Sequence, residues 1–385
     1  MQGMLWDIFC RVIDNFGDIG VCWRLSADLA ARGHGVRLWV DDSRALRWMA
    51  PGALEGAWPL VEVLPWERSS HTPTLLALAR ADVWVEAFGC DIPHTFVAHY
   101  AQQLAIQACA TTAQSAQKCV RPVWLNLEYL SAEPYVERCH GLPSPVLQGP
   151  AKGWTKFFYY PGFSAQTGGL LREPCVSASG LQRDLTPRAN HLHRWGLNWQ
   201  GERLVSLFCY EPPLLPAVLN ELASSPEPVR LLVTPGRASA AIRGVFGEQA
   251  VLGALQINHL PHLTQADFDT LLACCDLNFV RGEDSVLRAL WAGQPFVWHI
   301  YPQQDGAHGP KLEAFLEQLQ FSVAVRTLHR AWNGLVTAPQ DGSALLALRA
   351  SGSEAWRGQV QAARRRHFNL DDLVSRLLQF VAENR

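Results

Sequence analysis

The sequence predicts an α/β protein built from two successive parallel-sheet domains, and three observations carry that prediction. The chain has 385 residues, too long for one ordinary hydrophobic core. Its 48% hydrophobic and 18% charged residues are the balance of a globular protein with a sizeable interior, which sets aside disordered, collagenous and coiled-coil classes. Twice along the chain, apolar runs of strand length alternate with segments of helical periodicity, as parallel strands covered on both faces require.

The first series opens with WDIFCRVI (6–13) as a strand and the glycine-containing loop DNFGDIG (14–20). A helix is expected over about 21–32, because Val21, Cys22, Leu25 and Leu29 recur at helical spacing and Gly33 sits where a left-handed helix end would fall. VRLWVDD (36–42), VEVLPW (61–66) and DVWVEAFG (82–89) read as further strands, and a helix over 99–111 leads into PVWLNLEYL (122–130). Across 133–193, Pro134, Pro143, Pro145, Pro150, Pro161, Pro174 and Pro187 are interleaved with glycine, so this stretch reads as late loops, hairpin structure and a linker. The second series follows: strand RLVSLFCYE (203–211), helix 214–225, strand VRLLVTPG (229–236) and strand LQINHLPHL (255–263). Thr264 and Asp267 make a capping-box-like start for a helix through Cys274. DLNFV (276–280), the loop RGEDS (281–285), a helix to about Ala292, Gly293 and the strand PFVWHI (295–300) complete it.

The division expected is an N-terminal Rossmann-like domain over 1–185, a C-terminal one over 186–360, and a last helix over 361–385 crossing back to the first domain. Arg364, Arg365 and Arg366 read as a solvated helix face more simply than as a polybasic patch.

Lys and Arg number 33 against 35 Asp and Glu, so there is no basic excess of the kind phosphate backbones demand and nucleic acid is not an expected partner. No apolar run approaches the about 18 residues of a membrane helix, and the N-terminus lacks the basic start of a signal peptide. The expected setting is the cytoplasm, away from membranes. The ten cysteines are scattered, with no CxxC and no zinc-like Cys/His spacing, and read as small buried residues in a reducing compartment. The 13 histidines and 15 tryptophans read mostly as core or cleft lining, Trp298 and His299 lying in a strand.

Two loops carry candidate chemistry. The first offers Gly17 and Gly20 but not the third glycine of a dinucleotide fingerprint, and Asp18 between them would repel a pyrophosphate even though Asp41 lies at a suitable distance for a ribose acid. What it does offer is Asp14 and Asp18 at the carboxyl end of the first strand, either as a turn residue and a helix cap or as a general base and a clamp for a cationic substrate. The second is Arg281–Ser285. Gly282 permits a tight backbone, Asp284 or Ser285 can cap the helix, and free N–H groups there suit a diphosphate, with Arg281 adding fixed positive charge. An ordinary capped helix is the other reading. A DxD triplet, Asp267–Phe268–Asp269, falls in the first turn of a helix, where acids favour the dipole without any metal.

FCRVIDNFGDIGVCWRL (9–25) and CDLNFVRGEDSVLRALWAGQPFVWHIYPQ (275–303) closely resemble the bacterial protein-arginine rhamnosyltransferases that modify elongation factor P. The second segment spans a whole strand–loop–helix–strand unit, which makes it far more specific than a short motif. The resemblance implies the GT-B architecture, two Rossmann-like domains facing each other across a cleft. It implies an inverting transfer of L-rhamnose from dTDP-β-L-rhamnose to one arginine of elongation factor P, in support of translation through polyproline stretches, with no metal or other cofactor. Carried over by motif, Arg281, Gly282, Asp284 and Ser285 would cradle the diphosphate and Tyr301 would touch it. Tyr210 and Phe208 would pack the nucleotide, and Gln265 would meet the thymine. His262 stands where an aromatic would stack on the base, and Asn15, Phe16 and Gly17, in the loop from Asp14, would close over the sugar.

Guanidinium is a poor nucleophile because it stays protonated until a proton leaves one nitrogen. Carboxylates can align it and take that proton, so Asp18 is the expected base, Asp14 the orienting acid, and Glu283 the residue that holds the sugar or guanidinium or shares the base role. Two alternatives differ in class: a GT-B transferase with another nucleotide sugar and acceptor, and a non-catalytic, nucleotide-binding regulator of elongation factor P.

Overall fold

The computed structural model describes residues 3–13, 16–110, 120–174, 176–177, 180–181, 188–247, 249–303, 306–337 and 342–385. Two compact units divide it, one of Met1–Glu173 with Leu370–Arg385 and the other of Pro174–Asn369. The division falls before the expected 185/186 position, and the returning segment begins at Leu370 rather than 361.

The first unit is built on strands β1 (Leu5–Cys10), β2 (Gly35–Val40), β3 (Val61–Pro65), β4 (Val83–Ala87), β5 (Val123–Leu127), β6 (Pro143–Pro145) and β7 (Thr155–Tyr159). They run in the order β3-β2-β1-β4-β5-β7-β6, parallel except for the β6–β7 pair. β4 and β5 are buried at every residue, and their side chains are apolar on both faces except for Glu86 and Asn126. Here the core is aromatic: Phe9 stacks on Trp39, and Trp84 meets Phe96, Tyr100, Trp124 and Trp154 at ring distances of 5.2–5.6 Å. A buried carboxylate lies among these rings. Asp7 takes both arms of Arg37 at 2.7 Å and the Trp39 indole N–H at 2.8 Å, and burial raises its pKa despite those partners.

The C-terminal helix Leu373–Asn384 completes this unit. Asp372 caps it and also receives Arg32 from the first helix at 2.7 Å. Arg376 donates to the Ala165 and Thr167 carbonyls, while Phe380 packs edge-on against Phe157 and Tyr159.

A two-residue ladder, β8 (Val176–Ser177) with β9 (Gly180–Leu181), precedes the second sheet. That sheet comprises β10 (Arg203–Leu207), β11 (Val229–Val233), β12 (Val251–Leu252), β13 (Leu255–His259), β14 (Leu277–Arg281) and β15 (Phe296–His299), in the order β12-β13-β11-β10-β14-β15. Only the short β12 is antiparallel. One core cluster here is leucine-rich, gathering Leu192, Leu204, Leu232, Leu260, Leu263 and Leu271. Setting aside the antiparallel edges, both sheets run third-second-first-fourth-fifth, a doubly wound order that the first extends by a sixth parallel strand, β7. Their switch points lie between β1 and β4 and between β10 and β14.

Helix boundaries differ from expectation in three informative places. The first helix is Gly17–Ala31, so it begins inside the expected loop. The RGEDS segment is no loop, because β14 ends at Arg281 and helix Gly282–Ala292 starts at the next residue. The basic tail lies on helix Ala350–Phe368, and while Arg365 and Arg366 are exposed, Arg364 is buried with its guanidinium against Gly293, the left-handed C-cap of helix Gly282–Ala292. The described cysteines are free thiols, all buried except the half-buried Cys139.

Candidate active site

In doubly wound sheets ligands sit at the carboxyl ends of the strands, at the switch point. In the second unit that place is the end of β10 and β14. The Phe208 N–H still pairs with the Phe279 carbonyl at 2.9 Å, and the chain then delivers Phe208 and Tyr210 beside Arg281, the last residue of β14. The Arg281 guanidinium lies 4.5 Å from the Phe208 ring centre and 4.6 Å from that of Tyr210. Phe268 backs Phe208 at 5.6 Å, and Tyr301, 43% exposed, meets Tyr210 edge-on at 5.6 Å. Two aromatic faces thus hold a buried, permanently charged fork in place.

The abrupt passage from strand to helix depends on Gly282, whose φ of 69° is the left-handed conformation that suits glycine. Its carbonyl is held by the Trp298 indole at 2.9 Å. Arg281 occupies the N-cap position in extended conformation, and no side chain caps the helix. Asp284 and Ser285, expected as caps, lie instead within the first turn. The helix therefore begins, at the residue after Arg281, with N–H groups that no side chain caps and with its positive dipole end, an arrangement suited to an anion. Glu283, also in the first turn, is ion-paired with Lys311 at 2.7 Å.

Three partners here were given no role in the site from sequence. Arg237 opens the helix after β11 and places its guanidinium 4.7 Å from the centre of the same Tyr210 ring. Glu211 pairs with it at 2.8 Å, and that hydrogen bond holds the Glu211 carboxyl below the usual range. His299, at the end of β15, accepts the Tyr210 N–H through Nδ1 at 3.3 Å. Burial first, and the Arg281 charge second, push its pKa down to about 3, so the ring is neutral and its proton resides on Nε2. The signal available was positional: each lies within a few residues of a strand's carboxyl end.

Gln265 is the first residue of helix Gln265–Cys274, and His262 is exposed on the approach to it. Thr264 caps this helix by accepting the Asp267 N–H at 3.0 Å. In the DxD triplet, Asp267 accepts the Thr264 hydroxyl at 2.8 Å and Asp269 grips Arg288 at 2.8 and 2.6 Å, so both carboxylates have structural duties. Among the described residues no group of three or more His, Cys, Asp and Glu is placed to hold a metal ion.

The first unit contributes the other candidates. Asp14 and Asn15 lie outside the described residues. Phe16 is the N-cap of helix Gly17–Ala31 and meets Trp48 edge-on at 5.1 Å. Asp18 is not a cap. It sits in the helix's first turn, buried, and accepts the Ile13 N–H at 2.8 Å, which ties the two sides of the loop together. Asp41, weighed as a ribose acid, accepts the Val12 and Asp42 N–H groups at 3.0 and 2.9 Å. Phe208, Tyr210, Arg281 and Tyr301 are thus gathered in direct ring and cation contact, with Gly282–Ser285 continuing from them, while Phe16, Gly17 and Asp18 form a separate group in the first unit.

The family described as Elongation-Factor P (EF-P) rhamnosyltransferase EarP matches residues 6–382. A protein-arginine rhamnosyltransferase of Pseudomonas putida is 44% identical over 349 residues, 85% of this chain and 86% of that protein. Another, of Pseudomonas aeruginosa, is 40% identical over 98% of this chain and 99% of its own length. A solved structure described as the structural basis for EarP-mediated arginine glycosylation of translation elongation factor EF-P is 29% identical, with a TM-score of 0.63 over 99% of this chain and 100% of that one. A glycosyltransferase from Rickettsia africae, 10% identical with a TM-score of 0.50 over 100% of this chain and 99% of its own, shares the fold alone. The fold class is the expected α/β, GT-B one.

Proposed function

The chain belongs to the family of Elongation-Factor P (EF-P) rhamnosyltransferases, EarP, and from that premise we propose that it moves L-rhamnose from dTDP-β-L-rhamnose to one arginine side chain of elongation factor P, with inversion at the anomeric carbon. The observation that carries this reading is the uncapped start of helix Gly282–Ala292 at the switch point of the second sheet, with Arg281 fixed between two aromatic rings beside it. That combination suits a nucleoside diphosphate: amides and dipole for the phosphate oxygens, a guanidinium for their charge, and exposed aromatic surface nearby for the nucleotide.

In the reaction, one guanidine nitrogen of the acceptor forms a bond to the sugar's anomeric carbon as the bond from that carbon to the diphosphate oxygen breaks. The bonding pair leaves on dTDP. Arg281 and the helix amides stabilise the charge that develops there, which is why the reading calls for no metal. Asp18 takes the proton lost by the nitrogen, and Asp14 orients the guanidinium. Asp18 is suited to the task because the Ile13 N–H already fixes its carboxylate. Glu283, held by Lys311, acts as a positioned negative charge toward the sugar or guanidinium rather than as the main base. Ser285, Asp284 and Tyr301 complete the diphosphate site, while Tyr210, Phe208, Gln265 and His262 receive the nucleotide. The product is a modified elongation factor that supports translation through polyproline, in the cytoplasm.

The experiment is the intact mass of elongation factor P after incubation with this protein and dTDP-rhamnose in the presence of a chelator. The expected result is a gain of one deoxyhexose on a single arginine. No gain, although dTDP binds the folded protein, would overturn the acceptor assignment.

A further inference from the structure

At the carboxyl edge of the first sheet stands a feature the proposed chemistry does not use. Phe88, the residue after β4, has a φ of 59°, a left-handed backbone that bulky side chains rarely adopt. Its N–H remains bonded to the Leu127 carbonyl at 2.7 Å, so the neighbouring strand holds the conformation in place. The result is that the Phe88 ring stacks on Tyr129, two residues beyond β5, at 4.7 Å and 20°. Phe88 is buried, whereas Tyr129 is 37% exposed and Tyr135, just after it, 40% exposed. A strained phenylalanine thus supports an exposed aromatic ring.

The chain segments that carry these rings are predominantly acidic. The segments 88–93 and 128–139 carry Asp91, Glu128, Glu133 and Glu137 against Arg138 as their one basic residue. Glu128 adjoins Tyr129 and receives the Asn126 amide at 2.7 Å, and Glu133 is held by Ser131 at 3.0 Å. An aromatic face among fixed carboxylates attracts a cation, by the ring quadrupole and by charge together. β5 lies two strands from β1, or about 10 Å, so the platform stands to the side of Asp18 and not beside it.

We propose that the Phe88–Tyr129 stack is a docking platform for a cationic side chain of the acceptor protein, distinct from the reacting guanidinium, with Glu128 and Glu133 supplying the matching charge. This rests on the acceptor reading above and adds to it a determinant of acceptor recognition. Tyr129 acts as a positioning residue.

The test is steady-state transfer to elongation factor P with Tyr129→Phe, Tyr129→Leu and Tyr129→Ala, alongside calorimetric binding of dTDP. Leu and Ala should each raise the KM for the acceptor about tenfold or more, with kcat within about twofold, dTDP affinity unchanged, and Phe within about twofold of the parent in every respect. Unchanged KM in the Ala variant overturns the platform while leaving the proposed function intact. Leu performing as well as Phe also overturns it, because the site would then be a merely apolar contact. Should the parent protein neither bind nor modify elongation factor P, the acceptor reading fails and the platform falls with it.

Discussion

The carboxyl edges of the two sheets share a topology and differ in chemistry. In the first unit the edge presents mainly carboxylates, with Asp18 and Asp41 tied to the loop after β1 and Glu86 paired to Lys156 near the end of β4, while Arg11 lies 4.8 Å from the Trp66 ring centre. In the second, guanidinium groups lie on rings, Arg281 on Phe208 and Tyr210, Arg237 on Tyr210, and the acids Glu211 and Glu283 are each answered by a cation. The strand order around the two switch points is the same, so the order does not decide what each edge presents. A handful of residues just past the strands decides it.

The largest test of this contrast removes one acid. Asp18→Asn should lower kcat for transfer by at least about a thousandfold, in the range of a lost general base, while dTDP affinity by calorimetry stays as it was. The amide oxygen can still accept the Ile13 N–H, so the loop should keep its shape. If activity survives, the acidic edge is structural. Arg281→Met is the mirror experiment and should weaken dTDP binding about ten- to a hundredfold while leaving affinity for elongation factor P intact, with Arg281→Lys intermediate because it loses the stacked fork.

Acid stability should separate the units next. Burial lowers the pKa of His140 in the first unit to about 4, of His329 in the second to about 4, and of His299 to about 3. The unfolded chain binds protons near the ordinary value of 6.5 while the folded one does not. The stability due to these neutral rings is therefore complete above about pH 6.5 and drains as pH falls toward 4, by up to about 1.4 kcal/mol per group for each pH unit. Denaturant midpoints between pH 7 and 5 should fall, and His299→Gln should flatten the slope more than a change at any exposed histidine. The smallest effect belongs to Glu211→Gln. Its pair with Arg237 is largely exposed, so dTDP affinity should change by less than about fivefold.

Much of this was legible in the chain itself. Alternating apolar strands and periodic helices marked both sheets, and Thr264 with Asp267 marked a helix start that the structure reproduces. Where the reading was off, the cause is local and physical. Gly282 can turn directly from extended to helical backbone, so RGEDS needed no loop and its acids were not caps. Arg364 looked solvated because no pattern reveals that it would lie over a glycine 71 positions earlier. The Glu283–Lys311 pair and the Arg237–Tyr210 contact join residues 28 and 27 positions apart, and pairings of that kind are fixed by tertiary packing, to which periodicity is blind.

The helix Leu373–Asn384 belongs to the first unit although the whole of the second lies between them in the chain. During synthesis, the partners of Asp372 and Phe380 wait through about 200 residues of translation with that face uncovered. The second unit can reach its final form as it emerges, but the first is finished last. A ribosome that stalls late in this message would leave a protein whose second unit is ready and whose first is still open to proteolysis.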